Sequence, residues 1–119
     1  MPFPKDRRSA RAALIEGYLT AERRAAVGTG CPIAGLAVDV AREPHGRPVR
    51  AAFREGLEAL IEILAGAQPT PEPHDAHERA VVQMATLVGA MVLARATRGN
   101  ELSDEFLSAA RRSLLGRDA

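Results

Sequence analysis

Three short stretches of this 119-residue chain bring together side chains that could do chemistry. Cys31 stands beside Pro32 at the expected start of a helix, a place where a thiol pKa can fall and permit redox sensing or electrophile capture. It is the only cysteine, and no basic residue neighbours it in sequence, so burial as a small apolar side chain is the plainer expectation. His74 and His77, with Asp75 and Glu78 close by, have a helical spacing of three that could hold a metal ion. They also lie at a proline-rich connector and a helix start, where polar residues are expected regardless, and His45 falls in a turn. Solvated surface with no metal is the expected reading. Gly28 and Gly30 lack the third glycine and the Lys-Ser/Thr pair of a phosphate loop, and no strand precedes them. No nucleophile, base and orienting acid are spaced to cooperate. Neither an enzyme nor a cofactor is expected.

Composition narrows the function classes further. Sixteen Lys and Arg against 15 Asp and Glu leave a formal charge of +1, with no polyanion-sized electrostatic footprint. Phe3, Tyr18, Phe53 and Phe106 are too few for a base-stacking platform, so DNA or RNA binding by this chain alone is disfavoured. The apolar stretch from Met84 to Ala94 is short of the roughly 18 residues a membrane span needs. Charge at Lys5, Asp6, Arg7 and Arg8 with no apolar core behind it does not read as a secretion signal, which makes the cytoplasm the default. Length and the single cysteine fit one domain over residues 1–119.

Abundant alanine and thinly spread β-branched residues favour helix. Apolar periodicity predicts five helices, at about 6–19, 32–42, 48–65, 75–97 and 104–115. Residues 25–30 read as a loop, Pro44-His45-Gly46 as a break, and 68–74, with Pro69, Pro71 and Pro73, as an exposed, stiff connector. Asp75 and Ser103 are the expected N-caps, Leu102 is placed to staple onto Leu107, and Gly66 and Gly116 are the expected stops. The fold class is an all-α bundle.

The helix over 75–97 is apolar nearly all round between Met84 and Ala94, and such a helix needs burial all round. With Val81, Met84, Val88, Met91 and Arg95 on the chain's own core, Leu87, Ala90 and Ala94 need another cover. The last helix offers Phe106, Leu107, Ala110 and Leu114, while its Ala109 and Leu115 point elsewhere. A second copy of the same two helices would bury both remainders, giving a two-fold four-helix bundle in which Gly89, Ala90 and Ala94 permit close approach. The expected dimer interface is therefore Leu87, Ala90, Ala94, Phe106, Leu107, Ala110 and Leu114.

The run Gly30-Cys31-Pro32-Ile33-Ala34, then Asp39-Val40-Ala41-Arg42, Val49-Arg50-Ala51-Ala52-Phe53 and Glu55-Gly56-Leu57, resembles the ligand-binding half of TetR-type transcriptional regulators. The stretch from Ala85 to Ala96 and the ending Leu102-Ser103-Asp104-Glu105-Phe106-Leu107 resemble it too, so the likeness covers roughly Leu14 to Leu115. The resemblance implies an all-α regulatory domain whose last two helices pair with a second subunit, and whose central helices enclose a pocket for a small inducer. It also implies a helix-turn-helix head ahead of this portion. That head needs roughly 45 to 60 residues, and only a few precede the first helix, so the chain reads as a trimmed piece or a headless relative. By itself it is not expected to bind an operator.

For the implied pocket the sequence offers mostly apolar lining: Leu14 and Tyr18, Ile33, Leu36 and Val40, Phe53 and Leu57, then Met84, Val88 and Met91. Methionine adapts to irregular apolar shapes, which suits a hydrophobic or amphipathic effector. The alternative function is a dimeric helical interaction or scaffold module that encloses no ligand.

Overall fold

The computed structural model describes residues 7–26 and 32–116. Among them are six helices and no strand: α1 (Arg7–Tyr18), α2 (Ala21–Ala25), α3 (Pro32–Ala41), α4 (Pro48–Gly66), α5 (Pro73–Ala96) and α6 (Glu101–Leu115). The expected all-α architecture is present, with one element more than the periodicity predicts. The addition is α2, a helix too short to show a period, started by Thr20, whose Oγ1 accepts the Arg23 amide at 3.1 Å. Cys31, Gly28 and Gly30 lie outside the described residues.

Two helices begin earlier than expected, for local reasons. The N-cap of α5 is Glu72, not Asp75: its carboxylate accepts the amides of His74 at 3.0 Å and Asp75 at 2.6 Å, and Pro73 supplies a preset first turn. Asp75, freed from capping, pairs with Arg79 at 3.1 Å. At α6 the cap is Asn100, whose side chain accepts the Leu102 amide at 2.9 Å, after a turn that Gly99 makes at φ +92°. Leu102 thus sits in the first turn and is exposed, where no N′ staple onto Leu107 forms. Gly116 ends α6 at φ +77°, as its position predicts.

Packing is densest where α5 lies against α6 and against α4; α3 rests on α4 and α5, and α1 bridges α6 and α4. The core joins Ile15 and Leu19 of α1, Leu64 of α4, Ala80, Leu87, Ala90, Met91 and Ala94 of α5, and Leu107 of α6. By length and composition α5 could cross a membrane, but all its buried residues except Ala76 belong to this core. The connector after α4 is not exposed throughout: Gln68 is wholly buried, donating to Leu64 O at 3.0 Å and exchanging two amide hydrogen bonds with Gln83, at 2.8 and 3.0 Å. The radius of gyration is 15.0 Å, against about 13 Å for a globular chain of this length. That excess goes with a thin molecule, 41 × 37 × 26 Å, with little depth to bury a long apolar helix on every side.

Candidate functional site

The buried line of α5 is turned from the one its sequence suggests. Ala80, Leu87, Ala90, Met91 and Ala94 are buried, whereas Val81 is exposed and Met84 and Val88 are half-buried. The cause is the chain's own α6. Small residues at 90 and 94 let it come close enough for the buried Ser103 hydroxyl to donate to Ala94 O at 2.5 Å. Leu87, Ala90, Ala94 and Leu107, expected to meet a partner, therefore occupy the intrachain core. Leu114 and Ala110 are half-buried against the same core, and so is Phe106.

The face left open lies roughly 140° round the helix from the buried line of Ala80, Leu87, Ala90, Met91 and Ala94, at 3.6 residues per turn. On α5 it comprises Val82, Ala85, Thr86, Gly89 and Leu93, a stripe at helical spacing in which Val82 is 59% and Leu93 47% exposed. On α6 it comprises Leu102, Phe106 and Ala109. Between the two runs an apolar groove of about 410 Å³, which Ala90 and Ala110 also line and in which Glu105 is the one ionisable group.

A second feature opens between α1, α4 and α5. It is a cleft of about 470 Å³ lined by Ala13, Leu14, Gly17 and Tyr18, by Arg23 of α2, by Leu60, Ile63 and Leu64, and by Met84 and Leu87. The packing is open here because α1 and α4 meet along only part of their lengths, leaving Leu14 and Leu60 partly exposed and Ile63 59% exposed. A cleft of this size and lining falls in the range used by small-molecule sites.

A third hollow, about 620 Å³, lies between α3, the turn after it and α4, and takes in Val40, Phe53 and Leu57 together with His45, Arg47, Arg50 and Arg54. Its arginines are engaged. Arg50 donates to Val40 O, Ala41 O and Glu43 O at 3.1, 3.4 and 2.8 Å, closing the end of α3; Arg47 faces Glu43 at 3.9 Å and Arg54 pairs with Glu58 at 3.2 Å.

The ten expected pocket residues are accordingly divided. Leu14, Tyr18 and Met84 share the α1–α4–α5 cleft, while Val40, Phe53 and Leu57 line the separate hollow. Ile33 and Met91 are buried, Val88 is half-buried and Leu36 is exposed, and none of the four borders either space. Sequence reasoning passed over Gly17, Arg23 and Ile63. Leu60 and Leu64 line this side of α4, but the contact of α1 with it is tertiary and leaves no local signal. His74 and His77 are exposed, and no group of three or more metal-binding side chains occurs among the described residues.

No curated protein matches the chain. A family model does, over residues 9–110, described as the C-terminal domain of LmrA/YxaF-like transcriptional regulators. That span runs from α1 nearly to the end of α6 and holds both the cleft and the open α5–α6 face. The chain belongs to this family of TetR-type regulator C-terminal domains.

Proposed function

We propose that this chain is the effector-binding and dimerisation domain of a TetR-type transcriptional regulator. On this reading the effector is a small hydrophobic or amphipathic molecule held in the α1–α4–α5 cleft, and a second copy covers the open α5–α6 face. The observation that carries it is the double role of α5, which lines the cleft with Met84 and Leu87 and turns Gly89 and Leu93 outward. One rigid helix then touches both the ligand and the partner. DNA is reached only through a helix-turn-helix domain outside the described helices.

The mechanism follows from thermodynamic linkage. Two reading heads must sit about one DNA turn apart, roughly 34–36 Å, so dimer geometry controls affinity. An effector that fits the cleft better in one relative placement of α1 and α5 shifts the dimer by that difference in affinity and no more, typically about 1–3 kcal/mol. Movement of α1 reaches α6 directly, because the Arg11 guanidinium donates to Leu114 O at the end of α6.

The experiment is a thermal-shift screen of amphipathic small molecules on the wild-type chain and on Gly17→Leu. A Cβ on Gly17 meets no atom within 4 Å and Gly17 lines the cleft, so a leucine there is expected to take up cleft space with the helix retained, which circular dichroism of the variant checks. A ligand at 100 times its dissociation constant adds about 2.7 kcal/mol of stability to the wild type. Shifts present in the wild type and lost in Gly17→Leu support the cleft. Shifts that survive the substitution put the ligand outside the cleft and contradict this site, and a broad screen with none favours the scaffold module instead.

A further inference from the structure

The cleft lining holds nine residues without charge and one with it. Arg23 is that one, and no acidic residue lines the space. Its backbone is fixed: the amide donates to Thr20 Oγ1 at 3.1 Å, and the carbonyl accepts from Arg95 at 2.9 Å. Its guanidinium has no ion-pair partner among the described residues, in contrast to Arg24 beside it, which is committed to Asp104. Arg23 is exposed, so the cation stands hydrated at the mouth of an apolar space.

We infer that the cleft selects an amphipathic monoanion, a molecule with an apolar body and one carboxylate or equivalent acid group that meets Arg23. This rests on the cleft being the effector site and names the class of ligand it takes. The chemistry is complementary at both ends. Leu14, Leu60, Ile63 and Met84 offer apolar surface that gains from losing water, and a guanidinium at the rim can receive a carboxylate through two parallel hydrogen bonds while keeping water on its remaining N–H groups. A neutral molecule of the same shape would forgo the second contribution, and a cationic one would meet like charge. Nothing in the lining would compensate an ammonium group.

Ligand engagement at Arg23 also falls on a well-anchored point. The helix that bears it is tied to α5 through Arg95 and to α6 through Arg24, so a pull on Arg23 is felt by both helices of the open face.

Isothermal titration with decanoate, decan-1-ol and decylamine on the wild-type chain, Arg23→Gln and Gly17→Leu tests the inference. The expected result is decanoate binding tightest to the wild type, falling roughly two- to fivefold in Arg23→Gln, the scale of an exposed charge pair. Decan-1-ol should bind more weakly and be indifferent to that substitution, Arg23→Lys should restore part of the decanoate affinity, and Gly17→Leu should remove both ligands. Equal affinity for acid and alcohol, unaltered in Arg23→Gln but lost in Gly17→Leu, overturns the anion preference and leaves the cleft standing as the site. Decanoate binding that needs Arg23 yet ignores Gly17→Leu overturns it as well, since the acid then sits outside the cleft. No binding by either decanoate or decan-1-ol overturns it outright.

Discussion

Arg24 of α2 places its Nη1 2.6 Å from Asp104 Oδ1 and 2.9 Å from Ser103 Oγ at the start of α6, joining the two ends of the chain. The two halves of this contact differ in burial. Asp104 is 78% exposed at its side chain, so its ion pair is screened and belongs to the class worth about 0.2–1 kcal/mol. Ser103 is buried and also donates to Ala94 O, so it is the hinge pin of the arrangement. Asp104→Asn is expected to cost less than about 1 kcal/mol. Ser103→Ala is expected to cost about 1–3 kcal/mol, because it strips an acceptor from Arg24 and leaves Ala94 O without the hydroxyl. Urea unfolding of the two variants checks the order, and an Asp104 effect larger than the Ser103 effect contradicts it.

The reciprocal amide pair of Gln68 and Gln83 makes a second prediction. Gln83→Ala leaves the buried Gln68 side chain short of two hydrogen bonds and should destabilise by about 1–3 kcal/mol. Replacing both residues with Met removes the polar groups together and should recover much of that loss, since apolar pairs of similar shape can be nearly neutral. Denaturation midpoints of the three variants show whether the pair acts as a unit.

Glycine substitutions separate the monomer's needs from the partner's. Gly56 and Gly89 are both inside helices, and a Cβ on either meets no atom of its own chain within 4 Å. Alanine at each should stabilise an isolated subunit by about 0.5–1 kcal/mol through helix propensity. Gly56→Ala should do so in practice. Gly89→Ala should instead weaken association, because Gly89 stands in the middle of the open stripe where a second helix would press. A concentration series of melting temperatures reads both effects at once.

How much of this was legible in the sequence follows from range. The broad elements were readable because apolar spacing and Gly or Pro punctuation act within a few residues: Pro48 opens α4 and Gly116 closes α6 where expected. Glu72 was overlooked as a cap because glutamate is a poor one by preference, and only Pro73 after it reveals the start. The direction in which α5 faces was not readable. An all-apolar helix carries almost no signal for its own rotation, and the side toward α6 was fixed by small residues that suit an intrachain and an intersubunit contact equally well. For the same reason the pocket residues divided between two spaces, since a stripe such as Phe53, Leu57, Leu60 and Leu64 is long enough to serve different neighbours at its two ends.

α5 has a side its own subunit does not cover, and a second copy is proposed to cover it. Sedimentation equilibrium of the wild-type chain and of Leu93→Glu at tens of micromolar measures this directly. Leu93 is exposed in the single subunit, so the charge should leave its fold intact. A dimer is expected for the wild type and a folded monomer for the variant. A wild-type chain that sediments as a monomer over that range would contradict the proposed pairing.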